Sequence, residues 1–256
     1  MILLIILLAV LLAAILLFVY MYREAFLDRM VPMDLSVHML ADTFDGMKLF
    51  FISDIHRRKV SPRLLEKLPS SPDYVIIGGD LTERGVPLLR VRENLRRLTR
   101  LAPVYFVWGN HDWEAGKEQV QTLLLDCGVH ILDNETAVLR REGQALNLTG
   151  VNDATRDHDN IKKALAEREV DAPTLLFSHN PKIKRKLSPQ MKIAYAICGH
   201  THGGQVNILG YTVKEKGGVK VHAFGTLIIS NGYGTTKLPI RLAAKPDALF
   251  LILRKK

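Results

Sequence analysis

The stretch MKIAYAICGHTHGG, residues 191–204, sets an apolar run directly before two histidines and two glycines. Side chains at i and i+2 of a strand leave on the same face, so His200 and His202 would emerge together from the strand's carboxyl end. In open α/β sheets that rim is where ligands bind. The other apolar runs end alike. MKLFFIS leads into Asp54 and His56, DYVIIGG into Asp80, APVYFVWG into Asn110, His111 and Asp112, and APTLLFS into His179.

Any one of these residues reads as an ordinary turn or loop residue. Collected at one rim, three aspartates, one asparagine and five histidines carry a large cost in desolvation and mutual repulsion unless cations offset it. The mixed nitrogen and oxygen donors suit first-row metals, Mn, Fe or Zn, better than Ca. Seven or eight donors exceed one coordination sphere, so two divalent metal ions are expected, the arrangement that clamps both oxygens of a displacement at phosphorus.

Between these runs lie helical patterns, SPRLLEKL, PLLRVRENLRRLTRL and DNIKKALAER, and from Val129 short strands separated by Asp133-Asn134 and Glu142-Gly143 turns. Strands alternating with helices predict an α/β fold of two packed mixed sheets flanked by helices. Ahead of this domain stands MILLIILLAVLLAAILLFVY, in which Ile2–Tyr20 has no charge, Pro or Gly. As a helix it would extend about 28 Å, enough to cross a bilayer. With no basic residue before it and no small-residue cleavage site after it, it reads as a retained anchor rather than a cleaved signal peptide.

The expected organisation is therefore a transmembrane anchor over residues 1–22, a juxtamembrane linker over 23–46 and a catalytic domain over 47–256. Arg23 and Arg29 follow the helix and nothing basic precedes it, which places the domain on the cytoplasmic side of a single-pass cell-membrane protein. Two cysteines, one inside the histidine motif, fit a reducing compartment. The formal charge of +9 over 256 residues favours an anionic partner: lipid headgroups, nucleic acid or a phosphorylated substrate.

In this order and spacing DIH, GD, GNHD, SH and GHTH resemble the calcineurin-like metallophosphoesterases over residues 48–252. LTGVND, SHNP, GHTHGGQV and SNGYGTTKLPIRL resemble their bacterial membrane-associated phosphodiesterase branch. The resemblance implies an αββα sandwich in which Asp54, His56, Asp80 and His202 hold one metal, Asp80, Asn110, His179 and His200 hold the second, and Asp80 bridges. It implies attack on phosphorus by a metal-activated hydroxide, with His111 assisting the leaving oxygen. It also assigns Glu83 to orienting His111 and Arg84 to binding phosphate, since GDLTERG is similar to the GDxxDRG segment of protein phosphatases.

Arg57 and Arg58 follow the DIH loop and are expected to draw phosphate to the site mouth. Lys182–Lys186 is weighed for the same role, Trp113 for lining the cleft, and Gly203-Gly204 for passing close to the metals. The function so read is a membrane-anchored phosphohydrolase, most simply a phosphodiesterase, with phosphomonoesterase, nuclease and catalytically silent scaffold as alternatives. Nucleic acid is disfavoured as a partner because no aromatic-interleaved basic stripe is present.

Overall fold

The computed structural model describes every residue except Arg156. The apolar N-terminus is a 24-residue helix, α1 (Ile2–Ala25), long enough and apolar enough to cross a membrane. Among the described residues the domain behind it has twelve strands: β1 (Met30–Val37), β2 (Lys48–Ile52), β3 (Tyr74–Ile77), β4 (Val104–Phe106), β5 (His130–Ile131), β6 (Glu135–Arg141), β7 (Gln144–Val151), β8 (Thr174–Ser178), β9 (Ile193–Cys198), β10 (Gly218–His222), β11 (Gly225–Ile229) and β12 (Ala248–Lys255). Its main helices are α2 (Pro62–Leu65), α3 (Leu88–Thr99), α4 (Asn110–Glu114), α5 (Lys117–Asp126) and α6 (Ile161–Ala164).

The strands form two mixed six-stranded sheets, ordered β1-β12-β2-β3-β4-β5 and β10-β11-β9-β8-β7-β6. In the first, β2, β3, β4 and β5 run parallel, as do β7, β8, β9 and β11 in the second. Strand alternation explains the layers. Leu49 and Phe51 of β2 meet Leu175 and Phe177 of β8 in the core between the sheets, while Phe50 and Ile52 face the helices on the outside. The Phe51 and Phe177 rings stack with centroids 6.2 Å apart. On the outer face of the first sheet, Val91, Leu95 and Leu98 of α3 and Val120 and Leu124 of α5 complete a second core, as the 3.6-residue spacing of α3 requires. A third core, with Leu176, Ala196 and Cys198 against Ala164 and Ile183, covers the other outer face.

The layering has a consequence for chemistry: β2, β3 and β4 are neighbours in one sheet and β8 and β9 in the other. Their carboxyl ends converge on one rim.

The stretch 23–46 is not a linker. Its residues 30–37 form β1, which pairs in parallel with β12 along its whole length and leaves Leu35 and Val37 buried in the inter-sheet core, with Phe44 beyond them. Charges at Asp34 and His38 hide the alternation in sequence, because an edge strand needs only one apolar face. Two expected helices also shrink: SPRLLEKL gives only α2 and DNIKKALAER only α6.

Truncating Leu35 to Ala tests the role of β1. A loss of about 2–5 kcal/mol is expected for a large-to-small change in this core. Urea unfolding of the detergent-solubilised full chain, followed by tryptophan fluorescence, would check it; a change under 0.5 kcal/mol, the scale of surface substitutions, would mean that β1 is peripheral.

Candidate metal centre

Backbone geometry at the rim is unusual. Asp54, His56, Asp80, His200 and His202 all have positive φ, between 50° and 71°. Such residues cost about 1–3 kcal/mol each and persist where surrounding structure dictates them. Here backbone bonds do so: Asp54 N–H donates to Gly79 O at 3.0 Å and His56 N–H to Asp80 O at 3.1 Å, locking the β2 and β3 loops together. Because His200 and His202 are left-handed rather than extended, their rings diverge instead of pointing the same way.

Two groups result. Asp54, His56 and His202 bring ligand atoms within 4.8 Å of one another, and Asp80, His179 and His200 do the same beside them. In the first, His56 Nε2 lies 3.2 Å from His202 Nε2, and His202 Nε2 3.4 Å from Asp54 Oδ1. In the second, Asp80 Oδ2 is 3.0 Å from His179 Nε2, which is 3.2 Å from His200 Nδ1. Asp80 Oδ2 also lies 3.7 Å from His56 Nε2, so this carboxylate stands between the groups. Asn110, the first residue of α4, is buried with no partner for its Oδ1.

Neighbours fix which nitrogen of each ring carries a lone pair. His179 Nδ1–H donates to Gly78 O at 2.9 Å, leaving Nε2 as the lone-pair atom. Glu83 Oε2, 3.0 Å from His56 Nδ1, does the same for His56. A carboxylate or carbonyl behind an imidazole is how metal-binding histidines are commonly held. Burial alone would push His56 and His179 down, but Glu83 and the Asp80 and Asp54 carboxylates outweigh it for His56, and Asp80 raises His179 to about 10. Those carboxylates therefore create a field that favours positive charge at two points. Burial and the neighbouring His179 lower His200 to about 3; burial, His56 and Arg241 hold His202 well below its usual value. Both rings stay neutral, the form that binds metal.

The fit to divalent cations rests on these features together: paired donor groups, neutral imidazoles, and an orphaned buried amide oxygen beside them. Two glycines make room for the carboxylates. A Cβ at Gly109 would lie 2.2 Å from Asp80 Oδ1, and one at Gly199 2.4 Å from Asp54 Oδ2. Gly203 and Gly204 serve otherwise, admitting Asn231 and Thr212.

The second rank of residues differs from expectation. Glu83 does not reach His111; it braces His56 and pairs with Arg57. His111 instead donates from Nδ1 to Glu114 Oε2 at 3.0 Å, one helical turn along α4, a spacing the sequence held in plain view. Asp112 accepts from Gly109 N–H and Thr82 N–H at 3.0 Å each, tying the β4 turn to the β3 turn. Arg57 and Arg84 line the cavity of about 930 Å³ that opens over the centre, with His111 and His202 on its wall.

Arg58 does not. Its guanidinium lies 3.7 Å over the Tyr233 ring, pairs with Asp28 at 2.8 Å and donates to Phe26 O and Leu27 O. It fastens the end of α1. Lys184 and Lys186 pair with Glu215 and Asp159, and Trp113 donates to Asn152 and packs on His158, so neither lines the cavity. Arg241, which no sequence signal marked, is fully buried and donates to His202 O at 3.0 Å.

A two-sheet sandwich with this donor set at one rim defines a metal-dependent phosphoester hydrolase. The chain belongs to the calcineurin-like phosphoesterase family, whose profile matches residues 47–204. It is 38% identical over 209 residues to the uncharacterised protein YpbG of Bacillus subtilis (strain 168), covering 81% of each chain. It is 28% identical over 251 residues to a transmembrane protein with metallophosphoesterase domain of Danio rerio, covering 89% of this chain and 57% of that one. It is 27% identical over 241 residues to phosphodiesterase YaeI of Escherichia coli (strain K12), covering 86% and 88%. The chain thus spans little more than half of the zebrafish relative.

Replacing Glu83 by Gln should weaken metal binding by about 10–100-fold, the usual effect of removing a carboxylate behind a histidine ligand, while Glu114→Gln leaves affinity unchanged. Calorimetric titration with Mn2+ distinguishes the two; equal effects would mean that Glu83 does not brace a ligand.

Proposed function

We propose that the protein is a membrane-anchored phosphodiesterase working with two divalent cations, Mn, Fe or Zn. Asp54, His56, Asp80 and His202 would hold one and Asp80, Asn110, His179 and His200 the other. The observation that carries this reading is the position of Asp80 between two donor groups, with His111 at the edge: a ring nitrogen of His111 lies within 4.8 Å of ligand atoms of His56 and Asp80. When bound, the cations supply Lewis acidity and activate water.

The remaining work falls to side chains of the chain itself. Arg57 and Arg84, on the cavity wall, receive the phosphoryl oxygens. Glu83 and the Arg84 carbonyl hold the Arg57 guanidinium in place through its Nε and Nη2, leaving Nη1 for an anion. Water's oxygen bonds to phosphorus, the bond from phosphorus to the leaving oxygen breaks, and His111 delivers a proton to that oxygen from Nε2. Glu114, on Nδ1, fixes the orientation of the ring. The cavity wall also carries Val213, Leu238 and Ile240, which suits a diester with an apolar or extended second substituent better than a bare monoester. The name of the Escherichia coli relative points the same way.

The anchor is α1, whose Ile2–Tyr20 face is exposed throughout, and relatives named as transmembrane proteins agree with it. Arg23 and Arg29 and the two free cysteines favour a cytoplasmic domain.

Steady-state hydrolysis of bis(p-nitrophenyl) phosphate with Mn2+, compared with p-nitrophenyl phosphate, tests the proposal. Diester turnover should exceed monoester turnover; His111→Ala should lower kcat about 10²–10⁴-fold with metal content unchanged, and Asp80→Asn should lose both metal and activity. A fully active Asp80→Asn protein retaining two metals would overturn the assignment.

A further inference from the structure

Four strongly exposed apolar residues of the domain share one short segment. Ile208, Leu209, Tyr211 and Val213 are 61%, 93%, 83% and 100% exposed, all within a short hairpin closed by mutual Ile208 and Tyr211 backbone bonds of 3.0 and 2.9 Å. Burying side chains of this size is worth about 1.5–3 kcal/mol each, so a rigid hairpin that presents them outward needs an apolar medium or partner.

Its attachment identifies the medium. Gln205 O accepts from Leu242 N–H and Asn207 N–H donates to Leu242 O, both at 2.9 Å; the preceding residue, Arg241, donates its N–H to Met21 O of α1 at 3.0 Å. Two steps of extended-chain spacing place the hairpin base within about 10 Å of Met21. The apolar run ends at Tyr20, and its length of about 28 Å matches a hydrocarbon core of about 30 Å. Met21 therefore lies at the bilayer surface, and so does the hairpin. Lys245 lines a cleft together with Leu16, Val19 and Tyr20, and Lys214 and Lys237 line the cavity. Lysines at that depth meet anionic headgroups.

The same segments bound the active-site cavity. Val213, Leu238 and Ile240 line it together with Arg57, His111 and His202. Gln205 ties the two segments together, donating to Thr236 O and Leu238 O and accepting from Thr236 N–H.

We propose that the hairpin 205–213, with Leu238, is a second bilayer contact that turns the cavity mouth onto the lipid surface, and that the substrate is a phosphoester carried by an amphiphile. Its apolar chain lies along Val213, Leu238 and Ile240 and its phosphate reaches Arg57 and His111. The inference rests on the phosphoesterase reading above for its chemistry and on α1 crossing the bilayer for its geometry.

Two measurements on the full chain in vesicles of phosphatidylcholine and phosphatidylglycerol test it. In a Cys127→Ser background, an environment-sensitive fluorophore on Leu209→Cys should be quenched by lipids carrying a spin label near the headgroup. The same fluorophore on Met39→Cys, past the far end of the eight-residue β1, should not be. Equal quenching, or none at 209, overturns the contact. Separately, hexadecyl p-nitrophenyl phosphate should be cleaved, by water entering at phosphorus and p-nitrophenolate leaving, more than about tenfold better in kcat/KM than methyl p-nitrophenyl phosphate. Leu209→Asp with Tyr211→Asp should erase that preference and leave the methyl ester's turnover unchanged. No chain preference in the native protein overturns the substrate class. If neither ester is cleaved while quenching persists, the catalytic reading fails and the bilayer contact stands.

Discussion

A carboxylate sealed from water beside three imidazoles is the constraint around which the rim is organised. Asp80 is 1% exposed, and burial by itself would drive its pKa up. His179 and His56 outweigh that and keep it well below the usual carboxylate range. One oxygen takes the His111 N–H at 2.8 Å, which fixes where α4 begins; the other looks toward His179 and His56. Neighbouring Asp112 shows how sensitive the balance is. Buried in α4, after β4, and close to Asp80, it is pushed up to about 7 despite accepting two backbone bonds. The rim thus admits one strongly ionised carboxylate between the donor groups, and the second carboxylate beside it serves the backbone.

This balance needs both sheets. Strand β3 supplies Asp80, β2 supplies Asp54 and His56, and the second sheet supplies His179, His200 and His202. Each of the two ligand sets draws its carboxylate from one sheet and at least one imidazole from the other, while a third group, His56, Asp80 and His111, comes from the first sheet alone. Phe51 packed on Phe177, three and two residues behind Asp54 and His179, is therefore as much a part of the site's precision as the ligands. Close packing transmits shifts of a few tenths of an ångström along such pairs.

What the sequence disclosed was set by period and position. Parallel buried strands are near-continuous apolar runs, so β2, β3, β8 and β9 and the residues after them were legible. The edge strand β1 was not, because half its residues face solvent and its partner β12 lies more than two hundred positions away. Residues behind the ligands divide similarly. Asp112 belongs to a motif, and Glu114 sits one turn from His111. Glu83 was found but given the wrong partner, since only the fold shows that its carboxylate stands behind His56. Arg58 was read as a phosphate-drawing residue and Arg241 was given no role: a buried arginine among backbone carbonyls leaves no periodic trace, and composition counts it as surface charge.

Those two arginines explain how a helix outside the sandwich can bear on the centre inside it. Arg58 directly follows the DIH loop and donates to the last carbonyls beyond α1, a favourable place for a cation at a helix end. Arg241 gives its backbone N–H to Met21 while its guanidinium reaches His202 O and the carbonyls of Asn231, Gly232 and Gly234. Burial lowers it to about 10, still charged at neutral pH, and the ring of carbonyls is what makes a buried cation tolerable there. Breaking either clamp would leave a guanidinium buried without partners, which costs more than the lost hydrogen bonds alone. Helix α1 is therefore fastened to the domain: the carbonyls at its end are bonded by Arg58, beside the loop that carries His56, and by Arg241, whose side chain reaches His202 O, so the direction of the helix and that of the rim are set together.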